Sequence, residues 1–260
     1  MRIGVRALED VMTDGWRALE EVWLGDWLLR ASHAFTQRGN SALVIDDPGL
    51  PLAAAVSTVE RWYAARNLPP RFCLVTDVAG SAADPSVSTR LAQSGYVSRS
   101  ATYTMTAFTA DLPGPPTGAR DVVVDDQVTP AWLAAFAAYR RLVPGVAEAI
   151  LAGSHGQLFL SVPGEGSADA PPIAIARMST YPQWAGIHAM WVAPEHRREG
   201  VATVVVAAVA RLAAERGLPG VYLQVERSNS VATAAYDGWG FRAHHGHVYY
   251  APADDGLGHS

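Results

Sequence analysis

Apolar and polar positions along this chain form an order of predicted strands and helices that occurs twice. Trp27–Ser32 and Ile173–Ser179 are short, mostly apolar runs that both end in Arg-x-Ser, and runs of this kind are typical of buried strands. Leu52–Arg66 and Ala202–Arg216 are longer segments that predict helices. The two halves of the chain therefore share the same order of predicted strands and helices, independently of any motif.

The match continues along both halves. The predicted elements of the first half are Trp27–Ser32, Ser41–Ile45, Leu52–Arg66, Arg71–Val75, a short helix that closes on Ser94-Gly95-Tyr96, and Ala101–Met105; those of the second half are Ile173–Ser179, His188–Val192, Ala202–Arg216, Val221–Val225, a short helix that closes on Trp239-Gly240-Phe241, and His245–Tyr250. Asn67 and Gly217 stand where a helix C-terminus accepts a left-handed residue, with a proline just beyond each. A shared order at a nearly constant offset indicates a tandem duplication.

A proline- and glycine-rich stretch, Leu112–Gly118, separates the halves and predicts a linker. The expected organisation is a first domain at 1–110, a linker at 111–120, a second domain at 121–252 and a flexible tail at 253–260. Ahead of its repeat, the second domain has further predicted elements. These are helices at Ala131–Leu142 and Val146–Ala152, a strand at Gln157–Val162 and a flexible hairpin at Pro163–Pro172.

Composition narrows the class of protein. Hydrophobic residues make up 49% and charged residues 17% of the 260 residues, which favours folded domains with well-filled cores. The net charge of −5 comes without a basic stripe, so no nucleic-acid partner is expected. Cys73 is the only cysteine, the first residues lack a signal peptide, and Val201–Ala210 is too short to cross a bilayer. We therefore predict a cytoplasmic protein without a membrane partner.

All 20 basic residues are arginines. The absence of lysine excludes a Walker-type phosphate lysine and any Schiff-base mechanism. A phosphate-containing ligand would therefore have to be held by arginine or by backbone amides.

The segment Val192–Thr203 has the pattern of an anion-binding loop. A predicted strand ends at Val192, and Arg197-x-x-Gly200-x-Ala202 follows at the start of a long apolar helix. Small residues let the backbone approach a ligand closely, and the unpaired amides of the first helical turn can hold an anion. A pyrophosphate fits such a site without lysine.

A second motif lies downstream. Asn229 is followed by Ala232, Tyr236, Gly240 and Phe241. Together with the loop, this arrangement resembles the GNAT superfamily of acetyl-CoA-dependent N-acyltransferases, in the anchors and spacing of both motifs between Met190 and Phe241. The resemblance implies an α/β (α+β) fold of two tandem GNAT-like domains, each a mixed, mostly antiparallel sheet flanked by helices.

The resemblance also implies a binding site for acetyl-CoA as co-substrate and no metal. The coenzyme-binding residues that it implies are Met190, Val192, Arg197, Arg198, Gly200, Val201, Ala202, Thr203, Asn229 and Tyr236. In the family the fourth and fifth strands of the domain separate, and the unpaired backbone binds the pantetheine arm. Tyr236 would lie near the sulfur.

Catalysis needs a base for the amine, donors for the tetrahedral oxyanion and a proton for the leaving thiolate. Tyr236 is expected to give that proton, with packing of its ring as the alternative. His188 and Glu226 are both candidates for the base, and neither is preferred. Strand alternation predicts that His188 and Met190 share a face.

Two further features are interpreted as structural. His244, His245 and His247 have no carboxylate or cysteine nearby in the sequence, so we predict a mostly surface strand rather than a metal site. Cys73 corresponds to a buried strand position, which favours direct transfer over an acyl-enzyme.

The first half departs from the coenzyme motif. Where the second half has its loop, the first has Asp46-Asp47-Pro48, whose carboxylates would repel a pyrophosphate. We expect a degenerate domain that shapes one wall of the acceptor site.

The predicted function is transfer of acetyl from acetyl-CoA to a primary amine of a small molecule or peptide, through a ternary complex. Another acyl-CoA donor and a non-catalytic acyl-CoA-binding module are the alternatives. The sequence is compatible with a homodimer as well as with a monomer.

Overall fold

The computed structural model describes residues 3–164 and 170–253. The middle of the predicted hairpin at Pro163–Pro172 and all but the first residue of the predicted tail at 253–260 lie outside the described residues. Residues 3–110 form the first half of the molecule, and residues 121–253 form the second half.

The described chain contains seven α-helices and eleven strands. The helices are α1 (Val5–Gly15), α2 (Leu52–Ala64), α3 (Pro85–Gln93), α4 (Pro130–Ala137), α5 (Val146–Leu151), α6 (Val201–Glu215) and α7 (Ser230–Gly238). The strands are β1 (Glu20–Leu24), β2 (Trp27–Ala31), β3 (Ala42–Val44), β4 (Phe72–Thr76), β5 (Tyr96–Phe108), β6 (Val123–Asp125), β7 (Leu158–Val162), β8 (Ala174–Tyr181), β9 (Trp184–Val192), β10 (Gly220–Glu226) and β11 (Arg242–Pro252). The repeated order strand, strand, helix, strand, helix, strand is confirmed in both halves.

The strands form one mixed sheet in the order β1-β2-β3-β4-β11-β5-β10-β9-β8-β7-β6. Only β3 with β4 and β9 with β10 are parallel, and these are equivalent pairs in the two halves. The other neighbours are antiparallel. The expected mixed, mostly antiparallel sheet flanked by helices is confirmed.

The last strands of the two halves are exchanged. β5 belongs to the first half, yet it pairs with β10 of the second half from Gly220↔Phe108 to Glu226↔Thr102. β11 ends the second half, yet it pairs with β4 of the first half from Gly246↔Thr76 to Tyr250↔Phe72. β5 and β11 also pair with each other, so the two halves share one continuous sheet.

The two faces of the sheet carry different helices. Ile187, Val221 and Leu223 pack in one cluster with the buried valines of α6, and we call this side the α6 face. Trp184 and Tyr222 alternate with them and pack against Leu8, Val11 and Met12 of α1, and we call this side the α1 face. α4 and α5 also lie there, in the cluster that contains Phe136 and Ile150.

Helix α1 comes from the first half but covers strands of the second. Its last residue, Gly15, presents its carbonyl to Arg177 at 2.8 Å and to Ser154 at 2.9 Å, and both donors are buried. A Cβ at Gly15 would lie 2.0 Å from the hydroxyl of Tyr222, so only glycine allows this close approach. Because α1 seals the junction, the two halves bury surface against each other beyond the exchanged strands.

Candidate active site

Helix α6 begins with an open, left-handed turn. Its N-cap Gly200 has φ 79° and ψ 1°, a conformation that L side chains rarely adopt, and nothing lies within 4 Å of a Cβ built there. The first helical bond runs from Val204 N to Gly200 O at 3.2 Å. The amides of Val201, Ala202 and Thr203 therefore precede the intrahelical ladder and point out of the helix end.

Two arginines stand at this turn. Arg197 donates from Nε to the carbonyl of Val192 at 3.2 Å, which ties the loop to the end of β9. Arg198 is exposed and has φ 66°. The positive end of the helix dipole thus lies beside two arginines of one exposed loop, where an anion would be favoured.

Strands β9 and β10 separate in front of this turn. They pair in parallel only from Trp184↔Gly220 to Ile187↔Leu223, although β9 continues to Val192 and β10 to Glu226. Beyond this point no described residue of β10 pairs with the backbone of β9. The separation predicted from the family resemblance is present.

A bulge in β9 corrects one prediction about the side chains. The register moves from Arg177↔His188 to Ile175↔Trp191, so β9 has one residue more than β8 here, and Ala189 takes φ 50°. Met190 consequently packs with the cluster on the α6 face, while Ala189 and Trp191 pack on the α1 face. His188 and Met190 do not share a face, because a bulge breaks the period of two on which that prediction rested.

Tyr236 lies at the separated strands. Its hydroxyl is 3.6 Å from the sulfur of Met190, and its ring packs edge-on against Trp239 and Phe241 at centroid distances of 5.7 and 5.8 Å. Burial raises the pKa of Tyr236 to about 12. The hydroxyl is therefore protonated at neutral pH and can act as a donor.

Asn229 begins α7. Its Oδ1 accepts a hydrogen bond from the amide of Ala232 at 3.1 Å, which is an N-cap. The cap uses only the oxygen of this exposed side chain. The motif asparagine thus has a local structural role that the family spacing alone did not reveal.

His188 is buried on the α1 face and both of its ring nitrogens have partners. Nε2 lies 2.9 Å from Ser179 Oγ, and Nδ1 lies 3.5 Å from NH1 of Arg38. Since a guanidinium can only donate, Nδ1 accepts and Nε2 carries the proton. Burial, followed by the charges of Arg177 and Arg38, holds the pKa of His188 well below its ordinary value. The imidazole is neutral, but its basic nitrogen is already engaged.

Glu226 is the exposed last residue of β10. It alternates with Val225, which packs on the α6 face, so its side chain leaves the sheet on the α1 side. Ser228 Oγ donates to its carboxylate at 3.5 Å. Glu226 is thus the candidate base that solvent reaches.

Tyr139, just beyond α4, contributes to the site and was not anticipated. Its hydroxyl donates to the carbonyl of the bulge residue Ala189 at 3.0 Å, and its ring stacks on Trp191 at 5.6 Å with an interplanar angle of 4°. The ring of Phe136 also packs against the ring of Tyr139. The sequence signal was only an aromatic residue at a predicted helix end, which is too common to identify a site.

The prediction of a mostly surface strand at His244–His247 is wrong for two of its histidines. His245 and His247 are buried, and both donate through Nε2 to one oxygen of the buried Glu9, at 2.5 and 2.8 Å. The missing carboxylate comes from α1, far away in the sequence. Burial alone would raise the pKa of Glu9, but the charge of His247 and the hydrogen bonds from both histidines outweigh it and lower the pKa.

The donor atoms of Glu9, His245 and His247 lie within 4.8 Å of one another, which is close enough for a metal ion. However, Arg30 and Arg38 line the water-sized cavity of about 10 Å³ beside Glu9 and His247. Two guanidinium groups oppose a further cation. The hydrogen bonds from His245 and His247 already occupy the carboxylate of Glu9.

Cys73 is buried on the first half's part of the sheet, where burial raises the pKa of its thiol to about 11. A thiol that stays protonated at neutral pH is a poor nucleophile. Its environment favours a structural role.

With the geometry described, comparison with known proteins gives the family. The sequence model of the family "Probable histone acetyltransferase Rv0428c C-terminal" matches residues 3–250. The match spans both halves of the chain and includes the open turn of α6 and the Asn229–Phe241 segment. The chain therefore belongs to this family of GNAT-type N-acetyltransferases.

Relatives and solved structures agree with this assignment. The chain is 28% identical over 263 residues to the "Probable histone acetyltransferase Rv0428c" of Mycobacterium tuberculosis, covering 96% of this chain and 74% of that one. It is 24% identical over 251 residues to the "Uncharacterized N-acetyltransferase YobR" of Bacillus subtilis, covering 94% and 97%. The fold is similar to that of a GCN5-related N-acetyltransferase from Kribbella flavida, with TM-score 0.66, 16% identity and 97% of each chain covered.

A tandem GNAT protein from the clavulanic acid biosynthesis pathway also has a similar fold, with TM-score 0.58, 18% identity and 84% and 76% of the two chains covered. Within the described residues, no helix combines the length and apolar content of a membrane span.

Proposed function

We propose that this enzyme transfers the acetyl group of acetyl-CoA directly to a primary amine, at a single site in the second half. The observation that carries the proposal is the separation of β9 and β10 in front of the open N-terminus of α6, with the Tyr236 hydroxyl beside it. The gap offers unpaired backbone to an extended arm, and the helix end offers amides to phosphates.

In this proposal the pyrophosphate lies on the amides of Val201, Ala202 and Thr203, with Arg197 and Arg198 beside it. Gly200 leaves open space there and is the residue that the left-handed turn requires. Arginine can bind phosphate oxygens through two parallel hydrogen bonds, so a lysine is not needed.

The pantetheine arm would follow the unpaired edge of β9 at Met190 and Val192 and reach Asn229 at the start of α7. The thioester would then lie near Tyr236. Backbone amides in the bulged part of β9 would donate to the oxyanion, because the bulge leaves them out of the β8 ladder.

The amine attacks the thioester carbonyl from the α1 face. The new C–N bond forms as the carbonyl becomes an oxyanion, and the proton of the amine passes to a base. Collapse of this tetrahedral intermediate breaks the C–S bond, and the departing thiolate takes a proton from Tyr236. We assign the base to Glu226, acting through water, because it is exposed while the basic nitrogen of His188 already accepts from Arg38.

The first half is proposed to bind no coenzyme. At the equivalent loop, the turn between β1 and β2 fills the space, since a Cβ at Gly25 would lie 2.2 Å from the backbone of Pro48. Asp46, which pairs with Arg6 at 3.2 Å, and Asp47, which accepts from the amide of Gly49, place two carboxylates at this loop, where they would repel a pyrophosphate.

The test is acetyl-CoA-dependent release of thiol over a panel of small-molecule and peptide amines, with calorimetric titration of acetyl-CoA. Turnover with at least one amine and a binding stoichiometry near one are expected. Faster turnover with propionyl- or succinyl-CoA would indicate another donor. Tight binding without turnover of any amine would indicate an acyl-CoA-binding module.

A further inference from the structure

The first half places one irregular loop, Ser32–Ser41, against the second half. Three residues of this loop that are not glycine have positive φ: His33, Ala34 and Thr36, at 48°, 62° and 61°. Strained backbone of this kind is concentrated at functional sites, where the surroundings must hold it.

Asn40 holds the loop in this shape. Its Oδ1 accepts from the amides of Ser32 and Ala34 at 2.8 and 3.0 Å, and its Nδ2 donates to the carbonyls of Phe35 and Thr36 at 2.7 and 2.8 Å. The side chain of Asn40 is buried, and these four bonds use all of its hydrogen-bonding capacity.

The loop lies on the α1 face beside the proposed reaction centre. Phe35 packs against Phe136 with ring centroids 6.3 Å apart. Gln37 accepts from Ser100 of β5 at 2.7 Å. Arg38 reaches His188, the residue directly before the bulge of β9.

Arg38 has an unbalanced charge. Within the described part of the chain, the one hydrogen-bond partner of its guanidinium is Nδ1 of His188 at 3.5 Å, and no carboxylate lies within ion-pair distance. Its remaining nitrogens are not among the buried atoms that lack a partner, and Arg38 also lines the water-sized cavity beside Glu9. Arg38 is half-buried, and burial lowers the pKa of its guanidinium.

The groups around Arg38 add to its unbalanced positive charge. The guanidinium groups of Arg38 and Arg177 both lie over the ring of Trp16, at 5.6 and 5.5 Å. Arg177 is fully buried and is bonded to neutral groups only. The buried carboxylate of Glu9 is already occupied by two histidines.

We infer that Arg38 binds a carboxylate of the acceptor, so that the substrate is an amine that also carries a carboxylate, as an amino acid does. The guanidinium would form paired hydrogen bonds with the carboxylate while the amine points toward the gap between β9 and β10. The same positive charge disfavours polyamines and lysine-rich peptides. This inference rests on the proposed acetyl transfer and adds the class of acceptor.

The experiment compares each common L-amino acid with its own α-carboxamide as acceptor, at saturating acetyl-CoA. The amide keeps the amine and the side chain but removes the negative charge. For the preferred acceptor we expect kcat/KM at least about 10-fold higher for the acid than for the amide.

The Arg38→Gln variant should lower kcat/KM for the acid by about 10–100-fold, mainly through KM, and leave the amide and the acetyl-CoA Kd within about twofold. Arg211→Gln, which removes an exposed arginine on α6, is the matched control and should behave as wild type. Equal use of acid and amide by the wild type, or an equal loss with both in Arg38→Gln, would overturn the assignment.

If no amine is acetylated, the proposed reaction fails, and binding alone decides the inference. Calorimetry with the same acids and amides on protein saturated with coenzyme A should then still show binding of an acid that depends on Arg38. Absence of that binding, or a preference for amides or polyamines, would refute the carboxylate site.

Discussion

At the scale of single residues, the site depends on groups whose chemistry is set by burial. Tyr236 is kept protonated because its hydroxyl is buried and, among the described residues, its hydrogen-bond partner is the thioether of Met190. His188 is kept neutral by burial and by two arginines. Burial therefore sets the protonation state of both residues. Tyr236 is a proton donor on the α6 face, and His188 on the α1 face is a neutral imidazole whose acceptor nitrogen is already bonded.

Tyr236→Phe should lower kcat by about 10²–10⁴, the range for loss of a general acid. The ring and its packing on Trp239 and Phe241 would remain, so the acetyl-CoA Kd should be nearly unchanged. Single-turnover kinetics and calorimetry separate the two quantities. Because the pKa of Tyr236 is about 12, wild-type kcat should show no loss from its deprotonation between pH 8 and 10. A wild-type rate in the variant would leave Tyr236 as a packing residue.

Gly200→Glu should abolish binding of acetyl-CoA because it brings a carboxylate to the place proposed for the phosphates. Any side chain at φ 79° also strains the turn. Gly217→Glu is a matched control, since Gly217 follows the same helix, has φ 65° and likewise has nothing within 4 Å of a built Cβ. Calorimetry should detect binding in the control only. Loss of binding in both variants would attribute the effect to strain.

Glu9→Gln should destabilise the fold by about 3–5 kcal/mol at pH 7, since it removes the charge that two buried histidines share. The lowered pKa of Glu9 means that its contribution is complete above the ordinary carboxyl value of about 4.3 and is lost as the pH falls below it. The gap between variant and wild type in urea unfolding should therefore narrow in acid. A gap that is constant from pH 7 to 3 would contradict this assignment.

At the scale of elements, the sequence predicted most of the repeat. Helices α2 and α6 and strands β2, β4, β8 and β10 lie where apolar runs and turn residues indicated. Helix α1 was not predicted, although Leu8, Val11 and Met12 on its buried face have helical spacing. The strands β1 and β6 were not predicted because they are short, with five and three residues, and largely exposed, so they have no run of buried positions. The bulge at Ala189 escaped prediction because it depends on the register with β8.

The functional residues, like the secondary-structure elements, were predictable only where local sequence determines them. The turn at Gly200 and the cap at Asn229 follow from local chemistry, so spacing sufficed to find them. Tyr139, Arg38 and Glu9 were missed because tertiary contacts with residues distant in sequence define their roles. Local signals cannot report a partner that lies in the other half.

The loop Ser32–Ser41 offers a test at this scale. Asn40→Ala would leave two amides and two carbonyls without their partner, and we expect a loss of about 2–4 kcal/mol in unfolding free energy. Gln37→Ala, which removes one hydrogen bond from the same loop, should cost under about 1.5 kcal/mol. Urea denaturation measures both. Similar losses would mean that Asn40 does not organise the loop.

At the scale of the whole molecule, the exchanged strands make the halves interdependent. A fragment of residues 121–253 lacks β5, which pairs along both β10 and β11, and lacks β4 on the far side of β11. We expect this fragment to be unfolded or aggregated on its own and to regain acetyl-CoA binding when residues 1–120 are co-expressed. Circular dichroism and calorimetry provide the measurements. A monomeric, coenzyme-binding fragment would show that the exchange is dispensable.

The exchange also has a consequence for biosynthesis. When the first half leaves the ribosome, β4 presents an open edge, and the strand that covers this edge, β11, follows all the other described strands in the chain. The nascent chain must therefore keep that edge from pairing with other molecules until β11 has been made. A chain that terminates before β11 would be a substrate for chaperones and proteases, because its sheet cannot close without that strand.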